Sequence, residues 1–406
     1  MLASSKFNLF DTKSVKMSAY KVLGNFSNKL KPLIRPWYSQ IFLRPAIDLF
    51  LSTTNVEKEY GKTHKKNFLE QETVATPEVR GMPPFDAPFK YLEKDTYTTH
   101  DIYSTVVEDV LYEPGNGIVL TQSRKILSES IYPRMDLITT AGAFLHKDFL
   151  IRKFTESPIK TIRGYSSIYQ GLPNGYYHKI IDLVPRCSLL NHPDYTQLDE
   201  IKLLYAEPLA EVEKLMVPQL IPSNTTRVRL EPGRLYHLEK LILPTFLTQF
   251  GSGYLPSFYI QKLRDTFLPK RPSRRENRIY ISRKKSAQRQ KKRHIINEEE
   301  LFLELEKFGF KNYCLEDHSL VDKIELFYDA EMVIGAYGGG LTHILFSDNV
   351  NVLELQVMAK MQTYYYYIAK ALGHNFQFLC ADRANNRENF SVNIDKIIEI
   401  VNQWQS

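Results

Sequence analysis

Apolar and polar residues alternate in blocks along the last third of the chain, and the blocks change period. Short apolar runs predict strands over residues 278–282, 311–315, 332–334, 352–355 and 376–380. Between them the apolar residues recur at helical spacing. Leu301, Phe302, Leu305 and Phe308 share a face behind Asn297 and Glu300, a capping pair, with Gly309 as the stop. Leu320, Ile324 and Phe327 follow Ser319 and Asp322, and a third helix over 363–372 is closed by Gly373. Ser391 is the expected cap of the last helix. Strands separated by such helices make a parallel, doubly wound sheet that binds ligands beyond the carboxyl ends of its strands.

Upstream the same reading gives strands at 118–121, 136–139, 164–170, 201–205 and 226–230, helices at 176–190, 208–216 and 255–267, and a Gly/Pro/Asn turn at 171–175. Pro269 and Pro272 among Lys270, Arg271, Arg274 and Arg275 read as a linker. The expected organisation is therefore a basic, partly irregular extension over 1–100, an α/β domain over 101–268 and a Rossmann-like domain over 269–406. Within the extension, 63–95 is polar and Pro-rich. Residues 29–52 mix Lys29, Lys31, Arg35 and Arg44 with Trp37, Tyr38, Phe42 and Phe50, which suits peripheral contact with a membrane. Pro32, Pro36 and Pro45 interrupt any long helix there, so an arm packed on its own domain is the preferred expectation.

At 406 residues the chain can hold two domains, and 53 basic against 46 acidic residues leave a mild excess of +7. That excess suits an acidic ligand without requiring nucleic acid. Cys187, Cys314 and Cys380 are widely spaced and odd in number, which argues against a disulfide framework or a zinc site. No apolar run approaches the roughly 20 residues that span a bilayer, and no continuous apolar signal core opens the chain. The expectation is a soluble, cytoplasmic protein, peripheral to the inner membrane face if the arm binds lipid.

Three features carry chemistry. In Met-Val-Ile-Gly335-Ala-Tyr-Gly338-Gly339-Gly340-Leu-Thr-His, a strand meets a glycine turn and a helix start. The glycines permit φ > 0 and close approach of a ligand, and the first helical turn favours an anion. Ser282, Arg283 and Lys284 end the first strand of this sheet, 278–282, and place positive charge beside that turn, where a guanidinium can fork onto phosphate. The following basic run, 285–293, reads as a solvated loop. It lacks interleaved aromatics, so nucleic acid is not an expected partner. Third, His178, Asp182 and Arg186 fall at i, i+4 and i+8 of one helix, a polar stripe that would be a surface ladder or a functional face. No Asp-x-Asp is present, and Asp329-Ala-Glu331 reads as solvated, so no metal site is expected. Tyr364 to Tyr367 face all round a helix and read mostly as core, and Glu354 sits within its strand as an edge residue or a ligand to ribose or amine.

These stretches together, with Ile296-Asn-Glu298 and Leu315-Glu-Asp-His-Ser319, resemble glycosyltransferase family 61 over about 176–355, most clearly from Arg278 onward. The resemblance implies a GT-B-like pair of Rossmann-type domains facing a cleft, and inverting transfer from a nucleotide-diphosphate sugar, with UDP-sugar favoured, to a surface-polysaccharide acceptor. It implies donor binding by Ser282, Arg283, Lys284, Glu298, Ser319, Tyr337, Gly338, Gly339, Gly340, Leu341, Thr342 and His343. His178 and Asp182 become the expected catalytic pair, and Tyr177 and Arg186 the acceptor side. No cofactor beyond the nucleotide sugar is implied. The chain departs from the family's Gly-Ala-His-Gly-Ala-Gly-Leu-Thr-Asn at Tyr337 and His343, and Lys179 replaces a common aromatic. The competing expectations are a non-catalytic nucleotide-sugar-binding or scaffold protein and, third, a basic nucleic-acid-binding module.

Overall fold

A computed structural model describes residues 53–61, 65–69, 73–75, 96–98, 101–131 except 116, 157–169, 175–247 except 207, 255, 257–285, 293–357, 363–381, 385 and 389–406. The arm at 29–52, the strand at 136–139, the turn at 171–174, most of 63–95 and most of the basic run lie outside these residues. In chain order the first strands are β1 (Thr53–Thr54), β2 (Lys65–Leu69), β3 (Thr73–Ala75), β4 (Thr96–Thr98), β5 (Ile102–Glu113), β6 (Ile118–Leu120), β7 (Ile126–Leu127), β8 (Lys160–Ile168), β9 (Ile201–Tyr205), β10 (Thr225–Arg229) and β11 (Tyr236–Pro244). β3 and β4 form a separate ribbon, and the other nine build one sheet ordered β1-β7-β6-β5-β11-β8-β9-β10, with β2 against β5. The strands from β11 to β10 run parallel, whereas β5 is antiparallel to β11.

The long partners β5 and β11 were not anticipated from the sequence pattern. Where β8 pairs with β11 the register shifts, Arg163 and Gly164 of β8 together facing Glu239, whose carboxylate accepts the Gly164 N–H at 2.7 Å. Gly164 meets it with φ +73°, a left-handed conformation that glycine adopts without strain.

The second sheet follows the predicted alternation. β12 (Asn277–Ile281), β13 (Lys311–Tyr313), β14 (Ala330–Ala336), β15 (Asn351–Val357) and β16 (Asn375–Ala381) are all parallel, ordered β13-β12-β14-β15-β16. In chain sequence that order is 2-1-3-4-5, so the winding reverses between β12 and β14. A crevice for a ligand opens beyond the carboxyl ends of those two strands. Ser319 caps the helix Leu320–Tyr328 as predicted, accepting the Asp322 N–H while Asp322 accepts the Ser319 N–H. Gly309 (φ +77°) and Gly373 (φ +67°) end their helices in the left-handed region.

Three local expectations are corrected. Asn297 does not cap Glu298–Glu306; its side-chain amide instead exchanges two hydrogen bonds with the Val392 backbone, tying that segment to the helix. The last helix, Ile394–Gln405, is capped by Asn393 rather than Ser391. Asp329 is buried, not solvated: Arg271 forks onto both its oxygens at 2.8 Å, and the Arg274 N–H adds a third bond. Arg271 first of all, by hydrogen bonding, holds the Asp329 carboxyl below its ordinary range, so the linker is clamped onto the second sheet.

One apolar core runs from Tyr177, Ile180 and Val184 through Val212 and Met216 to Ile279, Ile281, Val333 and Val352 on one face of the second sheet. Met332, Ile334, Leu353, Leu305 and Val401 fill the opposite face. The first core therefore joins the two sheets. Among the described residues no helix is long and apolar enough to cross a membrane.

Candidate functional site

β14 carries Gly335 and Ala336 into Tyr337, and the chain then winds as a 3-10 helix, Gly339–Phe346, where an α-helix was expected. Gly338 is extended (φ 168°), and Gly338 to Gly340 are not among the left-handed glycines, so φ > 0 is not why glycine is needed. Close approach is. A Cβ on Gly338 would lie 1.5 Å from Nη1 of Arg283, and one on Gly339 would lie 3.3 Å from Cβ of Tyr176. On Gly340 it would lie 3.0 Å from both Ile281 and Leu315. The space over the glycines is filled by Arg283 and Tyr176.

Arg283 follows β12 and donates from Nη1 to the Tyr337 carbonyl at 2.8 Å, bridging the two strands at the point where the winding reverses. Its Nε is buried without a hydrogen-bond partner among the described residues. Arg293 comes back to the same place, with its guanidinium carbon 5.2 Å from the centre of the Tyr337 ring. Burial first, and the Arg293 charge second, lower the Arg283 pKa. Two cations held together at partial burial favour an anion between them.

The helical run from Tyr176 supplies the other wall. Pro185 has no N–H, so an α-helix here would orphan the Ile181 carbonyl. The chain widens into a π turn, Lys179–Leu183, with the Val184 N–H bonded to the Lys179 carbonyl, and continues as a 3-10 helix from Pro185 to Asn191. The Tyr259 hydroxyl donates to the Ile181 carbonyl that Pro185 cannot serve. Such turns recur at functional sites. Here the turn buries Asp182 completely and sets its Oδ2 2.6 Å from Nδ1 of His178, whose side chain is 16% exposed. With Nδ1–H donating to the carboxylate, a neutral imidazole carries its lone pair on Nε2.

Tyrosine rings join the two walls. The His178 ring lies edge-on to Tyr364 at 5.5 Å, Tyr364 is stacked on Tyr337 at 6.4 Å, and Tyr177 packs on Tyr364 at 4.8 Å. The Tyr176 hydroxyl is 2.9 Å from Nε2 of His343, while Nδ1 of His343 is 2.8 Å from the Gly340 carbonyl. Burial lowers the His343 pKa to about 4, so the ring is neutral, donating from Nδ1 and accepting from Tyr176. Burial also holds the Glu354 carboxyl, inside β15, well above the usual range.

Of the expected donor residues, Arg283, Tyr337, Gly338, Gly339, Gly340 and His343 come together, and Leu341 and Thr342 lie buried beneath them. Ser282 is buried and accepts the Lys284 N–H; Lys284 itself is exposed, with Nζ 3.5 Å from Glu299. Glu298 accepts from the Tyr280 hydroxyl, among the side chains that pack the opposite face of the sheet, and Ser319 is an exposed helix cap. Neither reaches Arg283. Tyr177 is buried against Tyr364. Arg186 does not continue the stripe: fully buried, it donates twice to the Pro244 carbonyl and lies over Phe246 at 4.0 Å, and burial lowers its pKa to about 10. Arg293 was missed, since its sequence signal is the end of a basic run that reads as solvated. Among the described residues no three His, Cys, Asp or Glu side chains are grouped to hold a metal.

Residues 176–354 match the family model described as Glycosyltransferase 61. A beta-1,2-xylosyltransferase of Arabidopsis thaliana is 31% identical over 121 residues, covering 26% of this chain and 22% of that protein. The chain thus aligns with less than a quarter of that relative's own length. The matched region opens at Tyr176, takes in the His178 turn, Arg283 and the glycines, and closes at Glu354. Over residues 176–354, then, the chain is similar to the glycosyltransferases of family 61.

Proposed function

We propose that the protein is an inverting glycosyltransferase that moves a sugar from a nucleotide-diphosphate sugar, with UDP-sugar favoured, to a hydroxyl of a glycan acceptor. One observation carries the reading: Arg283 and Arg293 converge on Tyr337 at the switch point of the sheet, and the Tyr364 ring packs against both Tyr337 and the His178 of the His178–Asp182 pair. The cations suit a diphosphate, and the pair suits a base. Nε2 of His178 takes the proton of the acceptor hydroxyl as its oxygen attacks the anomeric carbon. The bond from that carbon to the diphosphate oxygen breaks on the opposite side, and the leaving diphosphate carries its charge to Arg283 and Arg293. Asp182 orients the ring and stabilises the imidazolium. The resemblance of the motifs to capsule and exopolysaccharide enzymes supports a surface polysaccharide as the product.

We propose further that no divalent cation is required, because two guanidinium groups face the leaving group and the chain has no Asp-x-Asp. The test is UDP release from UDP-sugars with a glycan acceptor, in EDTA, with the product's anomeric configuration read by NMR. Turnover in EDTA with inversion is expected. Retention of configuration would overturn the inverting mechanism, and turnover only with added magnesium or manganese would overturn metal independence. Saturable UDP binding without turnover on any acceptor would favour the non-catalytic binding protein. UDP at about 100 times its Kd should stabilise the fold by roughly 2.7 kcal/mol, which a thermal-shift screen detects.

A further inference from the structure

β10 ends the order of the nine-stranded sheet, and between it and the helix Glu211–Leu220 lies an open groove of about 770 Å3. Its chemistry is one-sided. Arg227 and Arg229, two apart on β10, project from the same face, and Lys214 enters from the helix. All three are exposed. Arg229 donates from Nε to the Ala206 carbonyl, which fixes its direction, and among the described residues no carboxylate pairs with any of the three. Leu209 is buried at the floor, and the half-buried Tyr205 offers a ring.

The helix that walls the groove also contacts the His178 turn. Lys214 follows Glu213, whose buried carboxylate holds Lys179, the neighbour of His178, at 2.8 Å. Glu211, at the start of the same helix, accepts the Leu320 N–H at 3.2 Å and so touches the first turn of the helix Leu320–Tyr328. We propose that this groove binds the acceptor and selects a glycan bearing carboxylates, its uronate groups forked by Arg227 and Arg229 and a sugar face lying on Tyr205. The proposal rests on the glycosyl-transfer reading above. A guanidinium pairs with a carboxylate by two parallel hydrogen bonds, and an aromatic floor accepts the apolar face of a sugar ring. The volume lies in the range of ordinary ligand sites. The competing explanation is that basic residues on an edge strand only prevent sheet-to-sheet pairing, which requires no ligand.

Calorimetry on the full chain at low salt separates the two, with a galacturonic acid tetramer, a galactose tetramer and a phosphorylated galactose tetramer as probes. The uronide is expected to bind saturably and at least tenfold more tightly than the neutral tetramer. Arg227→Ala with Arg229→Ala, at exposed positions, should weaken the uronide at least tenfold and leave UDP affinity unchanged. Equal affinity for the charged and neutral tetramers, no uronide binding, or an unchanged affinity in the double variant would overturn the proposal. Binding of the phosphorylated tetramer without the uronide would overturn the choice of carboxylate. UDP binding, measured in the same preparation, reports separately on the donor reading: its absence beside intact uronide binding would refute that reading and not the groove.

Discussion

An alanine at 338 would set its Cβ 1.5 Å from Nη1 of Arg283, and the atom it meets is the far end of a flexible side chain. Gly338→Ala should therefore leave the fold intact while expelling Arg283 from the crevice. Its UDP affinity should fall by as much as that of Arg283→Ala, about 1.5–3 kcal/mol for a charged hydrogen bond, and the two changes together should cost no more than either alone. Calorimetry on the three variants checks this; additive losses would separate Gly338 from Arg283. Gly340→Ala would push into Ile281 and Leu315 at 3.0 Å, so its cost should appear in unfolding instead. His343 gives the residue scale a pH dependence. Its folded pKa, about 4, lies below the ordinary 6.5, as does that of buried His374. Stability from each is then fully present above about pH 6.5 and is lost as pH falls toward 4, on the order of 2–3 kcal/mol per ring by pH 4.5. Denaturant unfolding at pH 7 and pH 4.5 should show the loss, and His343→Asn should show less of it. An identical pH difference in both proteins would contradict a buried neutral His343.

At the scale of elements, Ser319 is a helix cap in the structure although the family resemblance lists it with the donor residues. Ser319→Ala should cost about 1 kcal/mol in unfolding and leave UDP binding alone, with Ser319→Asp recovering most of the loss. A fall in UDP affinity at unchanged stability would return Ser319 to the site. Much of the second sheet was legible because each strand is a short apolar run between capped helices. Four other things were not. Asn297 reads locally as a cap, but Val392, far along the chain, offers both a donor and an acceptor to its amide and wins. The π turn leaves no mark on a 3.6 period beyond Pro185, so His178 and Asp182 were paired correctly while Arg186 was carried onto the wrong face. Glycine runs cannot say whether they serve positive φ or close packing, and at 338–340 only Arg283, Tyr176, Ile281 and Leu315 settle it. The strand β5 escaped because its alternation is interrupted by Asp109 at φ +52°, and β11 because Leu241 to Pro244 are all buried and so do not alternate.

For the molecule as a whole, the continuous core and the Tyr176–His343 contact bring the His178 turn and the glycine strand into one site, although a linker separates them in sequence. We propose that this junction performs the chemistry, with His178 as the base and the arginines beside Tyr337 holding the diphosphate. The measurement that tests it most directly is the kcat for UDP release by His178→Ala, taken with its UDP affinity and its thermal unfolding. His178→Ala should lose about a hundred- to ten-thousand-fold in kcat, with UDP affinity and folding retained. A stably folded His178→Ala that turns over at close to the wild-type rate would contradict it.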